Sequence, residues 1–361
     1  MVKKYLFFIY DMQDGGAQRV VSVLSNVLTD KGFEVHIGLY VRSENDYFLS
    51  EKVHVHQLKS YSSGNKLMNS LQRVADMSNL IKTIAPNIVI GMMGSVLIEG
   101  FFAAKRRVVP YVSAIRVDPA RLCNEGMMGK LTLVVHRLSD AVFVQNEAQK
   151  AFYPVKMHNK IFSVFNPVSP VFLEKAYSEK PKIRKIAASG RLVKQKNHKM
   201  LIDAVSAVAL HAPDVLLTIY GSGPLEAELK EYILSCKAEK NVVLAGRCSN
   251  MADALLENDL FVLSSDYEGM PNALLEAMAL GMPCISTDCP TGPSEMIRNE
   301  ESGILTPVQD SKMLEAAIMS VMKDSHRAYE MGQKARMFVL DQCVDTRVAE
   351  KFIRCTEPYC K

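Results

Sequence analysis

The sequence predicts an α/β protein of two doubly wound domains, each a parallel sheet covered by helices on both faces. Three observations predict it. The 361 residues are long for one such domain and comfortable for two. Apolar runs of strand length recur along the chain, most of them followed by a turn and then a stretch with helical apolar spacing. One polar stretch, 172–182 with Pro181 near its end, reads as a linker between two such series. The expected boundaries are 1–172, a linker at 173–183, a second domain at 184–343 and a final helix at 344–361.

The first domain opens with a strand at about 4–10. Its start superficially resembles a signal peptide, but the apolar run is short, ends at Asp11 and lacks a small-residue cleavage site. The chain then reads Asp11-Met12-Gln13-Asp14-Gly15-Gly16-Ala17-Gln18-Arg19 and enters a helix with Val20, Val21, Leu24, Val27 and Leu28 as its apolar face. Strand, glycine turn and helix start make a place where backbone can approach a phosphate closely. Strands at about 33–40 and 52–58 follow, then a turn at 61–65 and a helix at about 67–85 that stops before Pro86. A strand at 88–90, a helix at about 95–107 and a strand at 108–112 lead to Ser113-Ala114-Ile115-Arg116-Val117-Asp118-Pro119. In that second loop Arg116 and Asp118 either touch a sugar or acceptor, or form a local ion pair that positions the loop. His136 lies inside a helical run and reads as structural. Strands at 140–144 and 161–165 close the domain.

The second domain opens with a strand at 185–190 that ends in Gly190. Arg191-Leu192-Val193-Lys194-Gln195-Lys196-Asn197-His198 follows, then a helix at about 197–211. A strand at 216–220 leads to Gly221-Ser222-Gly223-Pro224, and 241–247 gives another strand and loop. Leu260-Phe261-Val262-Leu263 reads as a buried parallel strand. It runs into Ser264-Ser265-Asp266-Tyr267-Glu268-Gly269-Met270-Pro271-Asn272-Ala273-Leu274-Leu275-Glu276. Pro271 suits the first helical position and Gly281 the stop. Glu268 then sits in a loop at a strand's carboxyl end, and Glu276 about one and a half turns into the helix. Open α/β sheets bind ligands in that crevice, and a helix start favours a phosphate. A strand at 283–287, a turn at 291–295, a small strand at 304–307 and helices at about 311–323, 325–340 and 344–356 complete the chain.

Composition narrows the function. The hydrophobic share of 48% with 23% charged residues is that of a globular domain protein, and no stretch approaches the roughly 18 apolar residues of a membrane span. Eight Cys show no C-x-x-C pair and no companion His cluster, so reduced thiols are expected and a metal site is not. The net charge of +4 is unevenly shared. Residues 1–172 carry 20 Lys and Arg against 13 Asp and Glu, and residues 173–361 carry 23 against 26. The uneven share is either chance or the mark of a first half that faces an anionic surface such as a bilayer, with Lys105-Arg106-Arg107 as a candidate patch. No basic run with interleaved aromatics points to nucleic acid.

The Glu268-to-Glu276 wording resembles the signature of the retaining GT4-type glycosyltransferases, which use nucleotide sugars and have the GT-B fold of two Rossmann-like domains facing across a cleft. The resemblance covers almost the whole chain. Gly15 and Gly16 match a Gly-Gly-Ala-Gln-Arg stretch whose backbone, in the family, faces donor phosphates and acceptor. Arg191 and Lys196 match the family's Gly-Arg-Leu…Lys motif, whose two cations hold the donor diphosphate. They suit the chemistry, because the leaving diphosphate gains negative charge and either a metal or fixed cations must stabilise it. The chain has no Asp-x-Asp of the kind that holds a metal in other transferases, so no metal and no cofactor is expected; the nucleotide sugar is a co-substrate. Lys194 competes with Lys196 for the assignment.

The resemblance further implies that Glu276 binds the ribose hydroxyls and that Glu268 fixes the sugar, with N–H groups around Gly269, Met270, Asn272 and Ala273. The catalytic set is then Arg191, Lys196 and Glu268. A His that contacts the transferred sugar in many members has no counterpart here. The last helix is expected to cross back to the first domain. The wording around Arg116 resembles a subgroup acting on bacterial surface polysaccharides and lipid-linked oligosaccharides. The expected activity is transfer of a hexose or N-acetylhexosamine from a uridine diphosphate sugar to a lipid-diphosphate-linked glycan, in the cytoplasm or peripherally at its membrane face. Two other readings fit the same residues: a nucleotide-sugar epimerase or hydrolase, which would consume donor without acceptor, and a non-catalytic nucleotide-sugar-binding subunit.

Overall fold

A computed structural model describes residues 2–13, 15–43, 46–61, 64–122 and 126–360. Asp14 of the first glycine turn, and Ser62 and Ser63 of the expected 61–65 turn, lie outside the described residues. The chain divides into two compact units, one of Met1–Pro167 with Asp345–Lys361 and one of Val168–Val344.

The first unit holds seven parallel strands: β1 Lys4–Phe8, β2 Glu34–Leu39, β3 His54–Gln57, β4 Ile88–Met92, β5 Tyr111–Ala114, β6 Ala141–Val144 and β7 Ile161–Ser163. Their order is β3-β2-β1-β4-β5-β6-β7, so the chain winds outward from β1 in both directions. Buried side chains alternate between two cores, which is why each strand reads as a continuous apolar run. Tyr5, Phe7, Val35 and Ile37 face one core with Val20, Val21 and Leu24 of the Gly16–Asp30 helix and Phe352 of the Asp345–Thr356 helix. Leu6, Phe8 and Val89 face the other with Met77 and Ile81 of the Lys66–Ile84 helix and Val96 and Phe101 of the Gly94–Arg106 helix. Phe352 stacks on Phe143 with ring centroids 5.0 Å apart, which fixes the final helix on this unit.

The second unit holds six parallel strands: β8 Lys185–Ser189, β9 Leu216–Tyr220, β10 Val242–Gly246, β11 Leu260–Leu263, β12 Cys284–Thr287 and β13 Ile304–Thr306. The order is β10-β9-β8-β11-β12-β13. The winding reverses between β8 and β11, where Leu260 pairs with Ile186 and Phe261 with Ala187. The loops that leave the carboxyl ends of these two strands therefore start side by side.

The polar 172–182 stretch is packed against this unit. Tyr177 is buried, its N–H bonds the Leu280 carbonyl at 2.7 Å and its hydroxyl donates to the Asp259 carbonyl at 3.0 Å. Arg336 donates to the carbonyls of Leu173 and Lys175 at 2.8 and 2.6 Å. The division of the chain consequently falls between Pro167 and Val168 instead of after 172. Composition marked the segment as polar but could not show that one tyrosine and one distant arginine fasten it.

Two buried histidines carry a pH signature. His136, enclosed in the Gly126–Leu138 helix and bonded to the Tyr153 hydroxyl at 2.9 Å, is pushed down to about 3 by burial. His198 in the second unit is pushed down to about 4, first by burial and then by the Lys196 charge. The unfolded chain therefore binds more protons than the folded one at mildly acidic pH, and stability falls as pH drops from about 6.5. Each histidine contributes a slope of up to about 1.4 kcal/mol per pH unit. Urea midpoints measured from pH 7.5 down to 5 should decline, and His136→Gln should flatten the slope. A midpoint that does not move with pH would contradict the burial of both rings.

Candidate active site

β8 ends at Ser189, and the loop after it carries both expected cations. Arg191 is exposed, and residues Lys194–Lys196 form a single 3-10 turn before the His198–Ala209 helix. That turn separates the two lysines. Lys194 is exposed and lines a pocket of about 290 Å³ with Asn197, His198 and Glu228, a pocket to which Arg191, Lys196 and Glu268 do not contribute. Lys196 points the other way, and its Nζ donates to Glu268 Oε1 at 2.6 Å. Of the two lysines, Lys196, the one the motif match singles out, is bonded to the Glu268 loop, and Lys194 is not.

The loops after β8 and β11 are joined by several further bonds. The Asp266 N–H donates to the Gln195 carbonyl at 2.9 Å, and the Ser264 hydroxyl to the Lys196 carbonyl at 2.8 Å. Asn197, in left-handed conformation at φ 44°, caps the following helix through Met200 N–H and donates to Asp266 Oδ1 at 2.8 Å. Gln195 Nε2 donates to the Tyr267 carbonyl at 2.8 Å and lies 3.4 Å from Glu268 Oε2. The Ser265 hydroxyl donates to Glu268 Oε1 at 2.7 Å. Glu268, 8% exposed, thus accepts two short bonds on one oxygen and a long one on the other. Breaking such a buried pair would leave a charge without compensation, so the pair holds both loops in one arrangement.

A third loop supports the second. The Thr291 hydroxyl donates to the Glu268 carbonyl at 2.6 Å, and Thr287 Oγ1 donates to the Ser265 carbonyl at 2.6 Å. Gly292 has φ 99°, and a Cβ there would fall 2.7 Å from the Gly269 carbonyl oxygen. Only glycine allows the backbone to pass so close. Cys289 donates to the Ser265 carbonyl at 3.0 Å, and burial pushes its thiol up to about 12, which makes it a packed and unreactive group.

The Asn272–Leu280 helix begins directly after this loop. Pro271 is its N-cap at ψ 104° instead of the first helical residue expected from sequence, so the helix starts one residue later. Pro271 itself stays extended, and Asn272 and Ala273 supply the first turn. Gly281 ends the helix in left-handed conformation at φ 80°. Glu276 is 5% exposed on its second turn, in the same unit as Arg191, Lys196 and Glu268. The helix start presents the positive end of its dipole beside the Gly269-Met270 loop.

In the first unit the glycine turn is more crowded than its sequence suggests. Gly15 is the N-cap of the Gly16–Asp30 helix, and a Cβ on it would fall 2.0 Å from Gln18 Oε1. Gln18 Nε2 in turn donates to Asp11 Oδ1 at 2.9 Å, and the Gln13 N–H donates to the same oxygen at 3.1 Å. Gly15 therefore makes room for Gln18. Arg116 and Asp118 do not form the local ion pair considered above. Arg116 donates to Asn166 Oδ1 at 2.8 Å, an oxygen that also accepts from Gln145 Nε2 at 3.1 Å. Burial draws its guanidinium down to about 10, still protonated at neutral pH. Asp118 instead caps the next turn through the Ala120 N–H at 2.9 Å. In the Lys105-Arg106-Arg107 patch, Lys105 pairs with Asp140 at 2.8 Å and Arg107 Nε folds onto Ser78, which leaves Arg106 exposed.

Sequence reasoning passed over Gln195, Ser265, Thr291 and Gly292. Their roles appear only when β8, β11 and β12 are seen to be neighbours. Thr291 and Gly292 stand in the turn expected at 291–295, which is the one available signal.

Comparison with known proteins bears on the family and the fold. The family model described as "Glycosyl transferases group 1" matches residues 172–338, and the one described as "Glycosyl transferase 4-like" matches residues 15–119. The chain is 25% identical to the N-acetylgalactosamine-N,N'-diacetylbacillosaminyl-diphospho-undecaprenol 4-alpha-N-acetylgalactosaminyltransferase of Campylobacter jejuni, over 98% of this chain and 100% of that protein. It is 25% identical to the amylovoran biosynthesis glycosyltransferase AmsD of Erwinia amylovora, over 89% of this chain and 90% of that one. The crystal structure of Anabaena HepE in complex with UDP superposes with a TM-score of 0.82 at 16% identity, covering 98% of this chain and 100% of that one.

Proposed function

Because the chain belongs to the GT4-type glycosyltransferases of the GT-B fold, we propose that it moves a hexose or N-acetylhexosamine from a uridine diphosphate sugar to a glycan on a lipid diphosphate, with retention and without a metal ion. The observation that carries this is the Lys196–Glu268 pair at the reversal of strand order, beside a helix start. The UDP bound to HepE and the diphospho-undecaprenol in the name of the Campylobacter relative support the donor and the acceptor.

In this reading the donor diphosphate sits between Arg191, Lys196 and the start of the Asn272–Leu280 helix. Arg191 offers a planar fork to two oxygens and Lys196 a point charge. Both oppose the charge that grows as the bond from the sugar's C1 to the phosphate oxygen breaks, the work a metal would otherwise do. Glu276 accepts from the ribose hydroxyl pair. Glu268 holds a sugar hydroxyl through the oxygen that is only weakly engaged by Gln195, and the N–H groups of Gly269, Met270, Asn272 and Ala273 frame the sugar and phosphate. Pro271 has no N–H to give. The acceptor oxygen bonds to C1 on the face the phosphate leaves, and its proton passes to the departing phosphate oxygen. A Glu268 carboxylate tied down by Lys196 and Ser265 is a poor nucleophile, which favours this over a covalent route. Arg116 and Asp118 are assigned to the acceptor. No helix among the described residues is long and apolar enough to cross a membrane. In this reading a lipid-linked acceptor is met at the cytoplasmic surface of the bilayer.

The test is transfer to a lipid-diphosphate disaccharide from a panel of uridine and guanosine diphosphate sugars, with the product anomer read by proton coupling constants. An α product from a uridine donor is expected. A β product overturns retention, and donor consumption without any product favours the epimerase or hydrolase reading. Gly292→Ala should raise the donor KM by roughly 10-fold or more, because the new Cβ displaces the Gly269 carbonyl. Unchanged donor kinetics in that variant would separate the loop from the donor.

A further inference from the structure

One helix layer in the first unit carries exposed apolar side chains on its outer face. The Lys66–Ile84, Gly94–Arg106 and Gly126–Leu138 helices pack side by side over one face of the sheet. Leu67, Leu71 and Phe102 of the first two stand exposed. The third helix shows the pattern most fully. Gly129, Val135 and His136 are buried and define its inward side. Met127, Leu131, Val134 and Leu138 recur at intervals of four, three and four residues along the opposite side. Met127, Val134 and Leu138 are 85%, 45% and 57% exposed, and Leu131 is half-buried at the edge of the core. Lys130 and Arg137 flank the stripe and are exposed, and the helix contains no Asp or Glu.

An ordinary surface helix turns its apolar stripe inward and its charges outward. This helix repeats an apolar stripe on its outer side, about 16 Å long at 1.5 Å per residue. Apolar surface of this kind marks an interaction site. The charges select the occupant. Lys130 and Arg137 would repel a second copy of the same face, whereas an anionic plane attracts both at once. A straight stripe with cations along its flank fits a flat interface of acyl chains and headgroup phosphates.

We propose that the Gly126–Leu138 helix lies along an anionic bilayer surface, with Met127, Val134 and Leu138 in the interface and Lys130 and Arg137 at the headgroup phosphates. This deepens the lipid-linked-acceptor reading and rests on it, since it brings the enzyme to the plane where such an acceptor is held.

The test is co-sedimentation of the full chain with phosphatidylcholine vesicles, with and without phosphatidylglycerol. Binding to the mixed vesicles is expected, at least about 10-fold weaker on phosphatidylcholine alone and weakening with salt. Val134→Glu with Leu138→Glu should lower the bound fraction about 10-fold or more. The thermal midpoint and transfer to a water-soluble acceptor should not change. Met127→Glu, at the most exposed position of the stripe, gives the same test if the double variant folds poorly. Absence of vesicle binding, or binding unchanged in the variants, overturns the proposal. So does a wild-type dimer that these variants dissociate, since a second copy would then occupy the face. Transfer to the soluble acceptor by a protein that ignores vesicles keeps the transferase reading and removes this one. Vesicle binding through the helix without donor turnover does the reverse.

Discussion

Lys196→Ala should lower sugar transfer by about 10²–10³-fold, the usual loss when one fixed charge or donor aimed at the developing negative charge is removed. The structure adds a second, separable consequence. Lys196 is 15% and Glu268 8% exposed at the side chain, so removing the lysine strands a nearly buried carboxylate. Breaking such a pair costs about 3 kcal/mol, at the low end of the usual range because Ser265 still donates to Glu268. The thermal midpoint should therefore fall by several degrees. The double variant Lys196→Ala with Glu268→Gln removes the stranded charge and should recover most of that stability while recovering none of the activity. Stability and turnover measured on the same three proteins separate a charge that acts on the donor from one that only holds a loop. Near-wild-type turnover in Lys196→Ala would remove the proposed mechanism.

Glu268→Gln should lower kcat by about 10²-fold with a smaller effect on donor KM, as expected for a group whose hold on the sugar tightens in the transition state. The amide keeps the size of the side chain and can still accept from Ser265 and Lys196, so the loop should stay in place. What it loses is the negative charge that orients Lys196 and opposes the cationic sugar. The two single losses should not add in the double variant, since both act through one contact at 2.6 Å. Strict additivity would mean that the two groups serve separate steps. A glycosyl azide of inverted configuration, formed when Glu268→Ala is given azide, would instead identify Glu268 as a covalent nucleophile.

The strand and helix that carry the Glu268 loop are legible in the sequence. The run 260–263 and its turn predicted a strand feeding a helix, and β11 and the Asn272–Leu280 helix occupy those positions. That reading was local: apolar run, glycine, proline, helical spacing. The contact of the lysine is not local. The motif match singles out Lys196 over Lys194, but only the pairing of β8 with β11 shows that Lys196 reaches Glu268. Thr291 and Gln195 were missed for the same reason, because each acts across a sheet order that no periodicity reveals.

The glycine turn shows a different limit. Gly15 and Gly16 were read as bare backbone for a phosphate, but Gln18 folds over Gly15 and is held there by Asp11. Local side-chain packing competes with ligand approach for the same missing Cβ, and sequence alone does not weigh the two. Arg116 shows a third limit. Asp118 was its nearest acid in sequence, yet a buried guanidinium takes the partner that the fold brings to it, and Asn166 lies fifty residues away.

The most direct measurement is the release of nucleotide diphosphate from a uridine diphosphate sugar, with and without a chelator, in the wild type and in Lys196→Ala, with the thermal shift caused by donor recorded alongside. Fixed cations at Arg191 and Lys196 predict a donor-induced shift and slow release in the wild type that the chelator does not change, and loss of release in Lys196→Ala. Release that stops with chelator and returns with added magnesium or manganese would contradict the account, because a metal would then be neutralising the diphosphate that these two side chains are proposed to hold.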